Sequence, residues 1–380
     1  MRIGLSALEM GRGDPGVREY VVALTRALLA RDEPPDLVLF VLEEDLPQFE
    51  FASRRVELIA VPEQFRDSGR DQDWRENRLP ELARERDLDV VHLSSYQRLQ
   101  WRGSCPLVAT VHDPTPLLDV RKKDWETGFI ERIVGRKPKP LPPTFVATSE
   151  FTANRLQERL ELPHGSVAVI PPGIDHERYR PGPAYEAKTA LDARFDLKEP
   201  FFLCVARLDH PVGNHVGLIA AFNRFKRRAR SSWMLMLVGE DGAGAEAVHS
   251  AIQQSPYASD IRLEAQMDAT ELPTLYQAAD AFVYPSLHEL PDLTVVEAMA
   301  CGCPVISSTR GVLGEWVGEA SSLIDPEDMD DFAGKLAAMA GSLELRQRWR
   351  AAGLAQARKF DWQQTAAETM AVYERVAPPA

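Results

Sequence analysis

Short runs of apolar residues alternate, over the first half of the chain, with polar segments in which apolar residues recur at helical spacing. Buried strands are predicted at residues 2–7, 37–42, 56–61, 90–93, 107–112, 145–148 and 167–170. A helix is predicted over 17–30, and Ser149 is placed to cap another helix over 150–160. Residues 63–80 show no clear period, which predicts a loop with some helix. Strands that alternate with helices in this way favour a mostly parallel sheet covered on both faces.

A second series of strands and helices follows a polar, Pro-rich stretch at 171–198. Its strands are predicted at 201–206, 234–238, 261–263, 281–284 and 305–306, and the last helix is predicted to be amphipathic over 362–376. Because Pro-rich polar stretches commonly join domains, we predict one domain at 1–172 and another at 173–361. The helix at 362–377 is expected to cross back to the first domain. The predicted fold class is α/β, with two facing Rossmann-like domains and a ligand cleft between them.

The charge balance and the cysteines narrow the classes of function. The 380 residues include 44 basic and 57 acidic side chains, for a net charge of −13. Because binding to nucleic acid needs a basic surface, this balance argues against a nucleic-acid partner. Cys105, Cys204, Cys301 and Cys303 lack metal-site spacing, so we expect free thiols, buried or partly buried, in a reducing compartment. No apolar run approaches a membrane span and no signal peptide is visible, so a cytoplasmic location is expected.

Two carboxylates and the element between them are the most informative feature of the chain. Glu289 and Glu297 are separated by seven residues, and the pattern predicts a loop, a helix over 293–301, a turn at Gly302 and a strand at 305–306. Glu289 would then precede the helix, and Glu297 would lie about one turn inside it. The free N–H groups at a helix start favour an anion such as phosphate. Taken alone, the pair is also compatible with two solvated acids on an amphipathic helix.

The residues around this pair resemble the Glu-x7-Glu signature of retaining glycosyltransferases with the GT-B fold, the group 1 or family 4-like transferases. The matching positions are Ser286, Glu289, Leu293, Thr294, Glu297, Ala298, Met299, Ala300, Gly302, Pro304 and Val305. Further blocks resemble the family in its order along the chain, at 16–20, 111–116, 148–152, 171–181 and 275–286. The resemblance therefore covers nearly the whole chain and implies the same two-domain GT-B architecture.

The resemblance implies a role for each carboxylate and for the helix start. Glu297 would accept hydrogen bonds from the ribose hydroxyls of a nucleotide, because a carboxylate can accept two at once. Glu289 would hold the donor sugar near the reacting carbon. The N–H groups of Leu293, Thr294 and Val295 would bind the diphosphate.

Other positions are implied on the same basis. Arg207 matches the family's phosphate-binding arginine, whose guanidinium stays charged and offers paired donors to a leaving group. A structural ion pair is the alternative reading of Arg207. His112 ends a predicted strand and would contact the donor sugar, and His92 is a weaker candidate with the same placement. Gly13 and Gly16 would form the loop opposite the donor phosphates. That loop also fits G-x-G-x-x-G, so a dinucleotide site is an alternative.

The chain departs from the family pattern at three positions. The lysine expected as a second cation falls on Gly213, and two loop glycines are replaced by Leu290 and Asp292. Loss of a cation from a water-poor site costs transition-state stabilisation, and Asp292 would place a carboxylate near the sugar. These departures keep a second hypothesis open, a catalytically impaired GT-B protein that binds nucleotide sugar or supports a partner enzyme. An epimerase-like enzyme of the same fold is a third hypothesis.

The resemblance thus implies a hexosyltransferase that retains anomeric configuration and uses a nucleotide-diphosphate sugar, with GDP-mannose or a UDP-hexose favoured. The acceptor is expected to be a hydroxyl of a saccharide or of a lipid-linked acceptor, in polysaccharide or glycoconjugate biosynthesis. No cofactor is implied. No metal-binding Asp-x-Asp is evident, since Asp328 and Asp330 lie in a late helix region, so metal independence is expected.

One segment has a charge opposite to that of the whole chain. Residues 121–139 carry seven lysines and arginines against three acids, with Trp125, Phe129 and Ile130 interleaved. The segment is either a solvated surface or a peripheral contact with the anionic inner face of a membrane that carries a lipid-linked acceptor.

Overall fold

The computed structural model describes residues 1–8, 15–52, 54–95, 101–114, 143–265, 267–287 and 292–378. The chain divides into two compact units. The first unit consists of residues 1–173 together with 361–380, and the second of residues 174–360.

Within the described part of the first unit, seven parallel strands form one sheet. In chain order they are β1 (Arg2–Ser6), β2 (Asp36–Leu42), β3 (Glu57–Val61), β4 (Val90–Leu93), β5 (Leu107–Val111), β6 (Thr144–Ala147) and β7 (Ala168–Val169). The spatial order is β3-β2-β1-β4-β5-β6-β7, and Leu5 on β1 lies between Leu39 on β2 and His92 on β4. The order reverses beside β1, as it does in a Rossmann fold.

The second unit has the same arrangement with six parallel strands among its described residues. They are β8 (Phe201–Val205), β9 (Met234–Val238), β10 (Ile261–Glu264), β11 (Ala281–Tyr284), β12 (Val305–Ser308) and β13 (Ser322–Ile324). Their spatial order is β10-β9-β8-β11-β12-β13, so the reversal falls between β8 and β11. The prediction of two Rossmann-like α/β domains is confirmed.

Helices connect the strands of both sheets. Among the described residues of the first unit the α-helices are Pro15–Leu29, Ser68–Asp73, Leu79–Glu85, Glu150–Leu160 and Trp362–Val376, with 3-10 helix at Glu43–Ala52 and Glu63–Arg66 and a π-helical turn at Trp74–Arg78. In the second unit they are Ala184–Phe195, His215–Ala229, Ala245–Gln253, Leu272–Ala278, Thr294–Ala300, Gly311–Val317, Met329–Gly341 and Leu343–Ala357. The predicted cap is present, since Ser149 Oγ accepts the N–H of Thr152 at 3.0 Å. None of the helices in the described ranges has the length and apolar character that crossing a lipid bilayer would need.

Residues 63–80 are more helical than the sequence predicted. The α-helix Ser68–Asp73 runs into a π-helical turn at Trp74–Arg78, which breaks the usual 3.6-residue period. Asp71 and Arg75 form a buried ion pair across one turn, with 2.7 Å between a guanidinium nitrogen and a carboxylate oxygen. Two charges on the buried side of a helix remove the apolar signal on which the prediction depended.

The last helix packs in the first unit. Met370 and Tyr373 of Trp362–Val376 share a buried apolar cluster with Ile3, Leu5 and Leu24 on one face of the first sheet. The opposite face is covered by a separate cluster that includes Phe40, Trp74 and Leu82. The four cysteines are all buried and unbridged, which confirms the expectation for their thiols.

A polar network is buried beneath the first sheet's carboxyl edge. The two ring nitrogens of His92, which is fully buried, lie 2.6 Å from the Tyr373 hydroxyl and 2.8 Å from Thr110 Oγ1. The Tyr20 hydroxyl lies 3.3 Å from the same Thr110 oxygen. Burial, and to a smaller extent the nearby His112, lower the pKa of His92 to about 3. His92 is therefore a neutral structural group that joins the last helix to β4 and β5.

The acid sensitivity of the first unit follows from this network. The pKa of His92 is about 3 when folded and about 6.5 when unfolded, so between these values the unfolded chain binds a proton that the folded chain does not. The free energy of unfolding should fall as pH drops below about 6.5, by up to about 1.4 kcal/mol per pH unit from this group. Urea unfolding between pH 7.5 and 4.5 measures that slope. His92→Gln should flatten it, whereas His249→Gln, at an exposed position, should not. An unchanged slope in His92→Gln would contradict the prediction.

Candidate active site

Glu297 is fixed inside the second unit. It is the fourth residue of the Thr294–Ala300 helix, its side chain is 5% exposed, and its Oε2 accepts the Tyr276 hydroxyl at 3.1 Å. Gly302 follows in the left-handed region at φ = 78°, and β12 comes next. The predicted sequence of helix, turn and strand is therefore present, with the helix one residue shorter at each end than predicted.

The start of this helix already holds a carboxylate. Asp292 Oδ1 accepts the N–H of Thr294 at 2.9 Å, and Asp292 Oδ2 accepts the hydroxyl of Tyr284. Burial, and then the Asp292 carboxylate, raise the pKa of Tyr284 well above its usual value, so the phenol stays a donor. One of the three N–H groups predicted for a diphosphate is thus occupied by the chain's own acid. Thr294 Oγ1 is buried with no hydrogen-bond partner in the part of the chain that the structure describes.

Three residues that the sequence singled out cannot be compared with the structure. Glu289 and Leu290 lie outside the described residues, as does Gly13 in the first unit. Their roles stay predictions. The basic segment 121–139 also lies outside the described residues.

The loops that follow β8 and β11 are hydrogen-bonded to each other. The Leu287 N–H and Ser286 Oγ both donate to the carbonyl of Val212, at 2.9 Å and 3.3 Å. The side-chain amide of Asn214 donates to the Pro285 carbonyl at 3.2 Å. Because the strand order reverses between β8 and β11, these loops meet at the carboxyl edge where open α/β sheets bind their ligands.

Arg207 follows β8 at this edge. Its Nε donates to Asp209 Oδ2 at 2.7 Å, so one side of the guanidinium does form the structural ion pair given above as the alternative role. The side chain is nevertheless 65% exposed, and its two Nη atoms have no partner among the described residues. The Nη end is therefore available to an anion while the Nε end is held by the protein.

Within the described ranges, the imidazole of His215 takes the place that a lysine side chain at Gly213 would need. A Cβ added to Gly213 would lie 2.6 Å from Cε1 and 2.8 Å from Nδ1 of His215, so the imidazole occupies the space that a side chain at 213 would need. His215 is 1% exposed, and its Nδ1 has no partner within the described ranges. Burial lowers the pKa of His215 to about 4, although the Asp209 carboxylate raises it. The ring is thus neutral near pH 7.

In the first unit, His112 is held in one orientation just after β5. Its Nε2 lies 2.9 Å from the Ser94 carbonyl, and because a carbonyl only accepts, Nε2 carries the proton. Its ring meets the Tyr20 ring nearly at a right angle, with 4.6 Å between the two centroids. Gly16 lies exposed in the first turn of the Pro15–Leu29 helix. The weaker candidate, His92, is buried out of reach of solvent.

The acidic pair at 328–330 serves the fold. Asp328 Oδ1 accepts the N–H groups of Asp330 and Asp331 at 2.9 and 3.0 Å and so caps the Met329–Gly341 helix. Asp330 pairs with Arg228 at 2.7 Å. Across the described ranges, no group of three His, Cys, Asp or Glu side chains is placed to share a metal ion.

Two family models match successive parts of the chain. The model described as "Glycosyl transferases group 1" matches residues 189–356, and the one described as "Glycosyltransferase Family 4" matches residues 16–178. The first match includes Arg207, the 285–287 loop and Glu297, and the second includes His112.

Several curated relatives are similar over part of their length. O-antigen chain mannosyltransferase B of Escherichia coli is 32% identical over 164 residues, which is 43% of each chain. D-inositol 3-phosphate glycosyltransferase of Segniliparus rotundus is 27% identical over 279 residues, which is 72% of this chain and 61% of that protein. MMP alpha-(1->4)-mannosyltransferase of Mycolicibacterium hassiacum is 27% identical over 312 residues, 77% of this chain and 72% of that protein. The chain thus spans less than two thirds of the first two relatives.

Solved structures of glycosyltransferases share the fold. A glycosyltransferase from Rickettsia africae has a TM-score of 0.76 at 16% identity and covers 99% of this chain and 98% of its own. Anabaena HepE in complex with UDP-glucose has a TM-score of 0.71 at 18% identity over 98% of this chain and 100% of its own. WaaG, of lipopolysaccharide biosynthesis, has a TM-score of 0.69 at 15% identity over all of both chains. At these identities the likeness concerns the fold alone.

Restoring the expected lysine should damage the second unit. Gly213→Lys forces a Cβ against the buried ring of His215, and overpacking of this kind costs about 1–3 kcal/mol of unfolding free energy. Urea unfolding measures the loss, and His215→Ala in the Gly213→Lys background should recover part of it. Gly334→Lys is the matched control, because a Cβ there meets nothing within 4 Å. Equal stability of Gly213→Lys and the unaltered protein would contradict the assigned packing.

Proposed function

We propose that this chain is a glycosyltransferase of the group 1 type and that it transfers a hexosyl group from a nucleotide-diphosphate sugar to the hydroxyl of a saccharide or lipid-linked acceptor. The observation that carries the proposal is that Arg207 follows β8 and the helix of Glu297 follows β11, two strands that pair with each other. Glu297 is a buried acid held by Tyr276, and Arg207 is an exposed guanidinium whose Nη end faces no protein partner among the described residues. A ribose needs acceptors for its hydroxyls, and a diphosphate needs a cation.

Each residue has a distinct part in the proposed reaction. Glu297 accepts ribose hydroxyls and so fixes the nucleotide. The Nη atoms of Arg207 donate to the diphosphate and stabilise the negative charge that grows on it as the glycosidic bond breaks. Glu289 and His112 are proposed to orient the donor sugar, with Nε2 of His112 kept protonated by Ser94.

The finer features are proposed from the resemblance. We propose retention of anomeric configuration, with the leaving diphosphate assisting deprotonation of the incoming hydroxyl, and independence of metal ions and cofactors. GDP-mannose or a UDP-hexose is the proposed donor. Two of the relatives are named mannosyltransferases, and HepE was solved with UDP-glucose, which supports testing both nucleotides.

A catalytically impaired protein that binds nucleotide sugar, or that supports a partner enzyme, is the second candidate. Two observations favour it. The position expected for a second cation is Gly213 beside a neutral His215, and the Asp292 carboxylate stands at the helix start proposed to bind the diphosphate. Release of free nucleotide from a donor without any acceptor separates the two candidates, because an impaired protein would bind the donor without releasing nucleotide.

Substitution of one proposed donor-binding residue should lower the rate of nucleotide release, and substitution of the other should lower the affinity for the donor. Arg207→Ala should lower the rate of nucleotide release about 10²- to 10³-fold, because it removes the cation from the leaving group. Glu297→Gln should weaken donor binding about 10- to 100-fold, as expected for hydrogen bonds to a charged acceptor. The measurement is nucleotide release from GDP-mannose and UDP-glucose as a function of donor concentration.

Matched controls keep this result specific. Arg227→Ala and Glu344→Gln alter exposed residues of the same unit and should leave the kinetics unchanged. Normal turnover and normal donor affinity in both Arg207→Ala and Glu297→Gln would refute the proposed site.

Peripheral attachment to an anionic membrane is proposed for 121–139 on its charge. The protein should co-sediment with vesicles that contain phosphatidylglycerol and not with vesicles of phosphatidylcholine alone. Reversing Lys122, Lys123 and Lys137 to Glu should abolish the binding. Reversing Arg227, Arg228 and Arg230, an exposed basic cluster of the second unit, is the control and should not. Retained binding after the first reversal would exclude the segment as the attachment site.

A further inference from the structure

The exposed guanidinium of Arg207 is tied down by one neighbouring acid. Asp209 Oδ2 accepts from Arg207 Nε at 2.7 Å, and Asp209 Oδ1 accepts the backbone N–H of Ala243 at 2.8 Å. Both oxygens of this partly buried carboxylate are therefore engaged, one by the arginine and one by the backbone. The carboxylate cannot rotate without losing one of the two bonds.

The backbone around this contact is a short parallel ladder between 206–210 and 238–243. Leu208 donates its N–H to the Glu240 carbonyl at 2.9 Å, and His210 donates to the Ala243 carbonyl at 2.7 Å. The ladder continues the pairing of β8 with β9 beyond the ends of both strands. The acid that holds Arg207 is thus itself held by an extension of the sheet.

Gly242 provides the room for the carboxylate. A Cβ on residue 242 would lie 2.2 Å from Asp209 Oδ1 and 3.2 Å from Cγ of Arg207. No side chain larger than hydrogen fits while Asp209 and Arg207 keep these positions. Gly242, Ala243 and Asp209 therefore act together on Arg207. They fix its Nε and leave its Nη end exposed.

We propose that Asp209 is a positioning residue that acts through Arg207, ordering the guanidinium before a diphosphate arrives. The inference rests on the proposed function and adds a residue to it. An arginine side chain that is ordered beforehand loses less conformational freedom on binding, which is worth about 2- to 10-fold in affinity. The ordering matters more in this chain because Gly213 supplies no second cation beside Arg207.

An effect of charge alone predicts the opposite change in anion affinity when Asp209 is removed. The negative charge of Asp209 partly cancels that of Arg207, so its removal would strengthen binding of an anion if attraction were the only effect. Gly242→Ala separates the two effects further, because it displaces the carboxylate and leaves every charge in place. Positioning predicts weaker binding in this variant, and charge alone predicts no change.

Binding is measured by calorimetry, and nucleotide release is measured on the same protein preparations. The probes are GDP, UDP and inorganic pyrophosphate, with GDP-mannose and UDP-glucose for turnover. The variants are Asp209→Ala, Asp209→Asn, Gly242→Ala and Arg207→Ala, together with each of the first three in the Arg207→Ala background. Asp241→Ala is the matched control, because this nearby acid pairs with His249 instead. Circular dichroism and thermal melts establish that each variant is folded.

We expect Asp209→Ala and Gly242→Ala to weaken binding about 2- to 10-fold, and Asp209→Asn to do so by less, since an amide oxygen still accepts from Nε. None of the three should have any further effect once Arg207 is Ala, and Asp241→Ala should have none at all. Stronger binding in Asp209→Ala, or equal effects with and without Arg207, would overturn the inference while the proposed function stands. Absence of all binding in the unaltered protein would overturn both.

Discussion

Parallel pairing of β8 with β11 is the constraint on which the second unit's candidate site depends. The two strands are adjacent in space although 75 residues separate Val205 from Ala281 in the chain, counting residues 206–280. Their neighbouring carboxyl ends place the Arg207 loop against the 285–287 loop, and three hydrogen bonds to Val212 and Pro285 fasten one to the other. A cation and a helix that carries a buried acid are thereby brought to one edge. Nothing in the local propensity of either segment requires this meeting, which follows from the crossover topology of the sheet.

The electrostatics of that edge differ from the family pattern in a consistent direction. The position of the expected lysine is occupied by the imidazole of His215, which burial keeps neutral. The helix start carries the carboxylate of Asp292, fastened by Tyr284 and by the Thr294 N–H. Fewer positive groups would therefore face the diphosphate of the proposed donor, and the geometry of Arg207 would carry more of that interaction. A guanidinium held at Nε by Asp209 is suited to that situation, because its remaining donors form a rigid fork.

In the first unit, a set of buried polar side chains stabilises the packing of the sheet against the last helix. His92, Thr110, Tyr20 and Tyr373 satisfy one another beneath the sheet, and Tyr20 also presents its ring to His112 and to Trp362. A fully paired network of this kind favours one arrangement of its elements, since any partial pairing would leave a buried polar group unsatisfied. It couples the orientation of His112 to the docking of the last helix, whose residues come almost at the end of the chain. The packing of the sheet edge therefore depends on the packing of the last helix.

The sequence by itself determined the α/β class, most strand positions, the cap at Ser149 and the last helix, because each depends on local periodicity or on a residue with one strong preference. It also pointed to Arg207 and Glu297 by resemblance, and it predicted too little helix at 63–80, where a buried ion pair replaces the apolar stripe. The tertiary structure alone decided that Asp209 clamps Arg207, that His215 fills the space at Gly213, and that Asp292 occupies the Thr294 N–H. Each contact joins residues two positions apart, but two of the acids are also held from elsewhere in the fold, Asp209 by the Ala243 N–H and Asp292 by the Tyr284 hydroxyl, and those partners follow from the pairing of the strands.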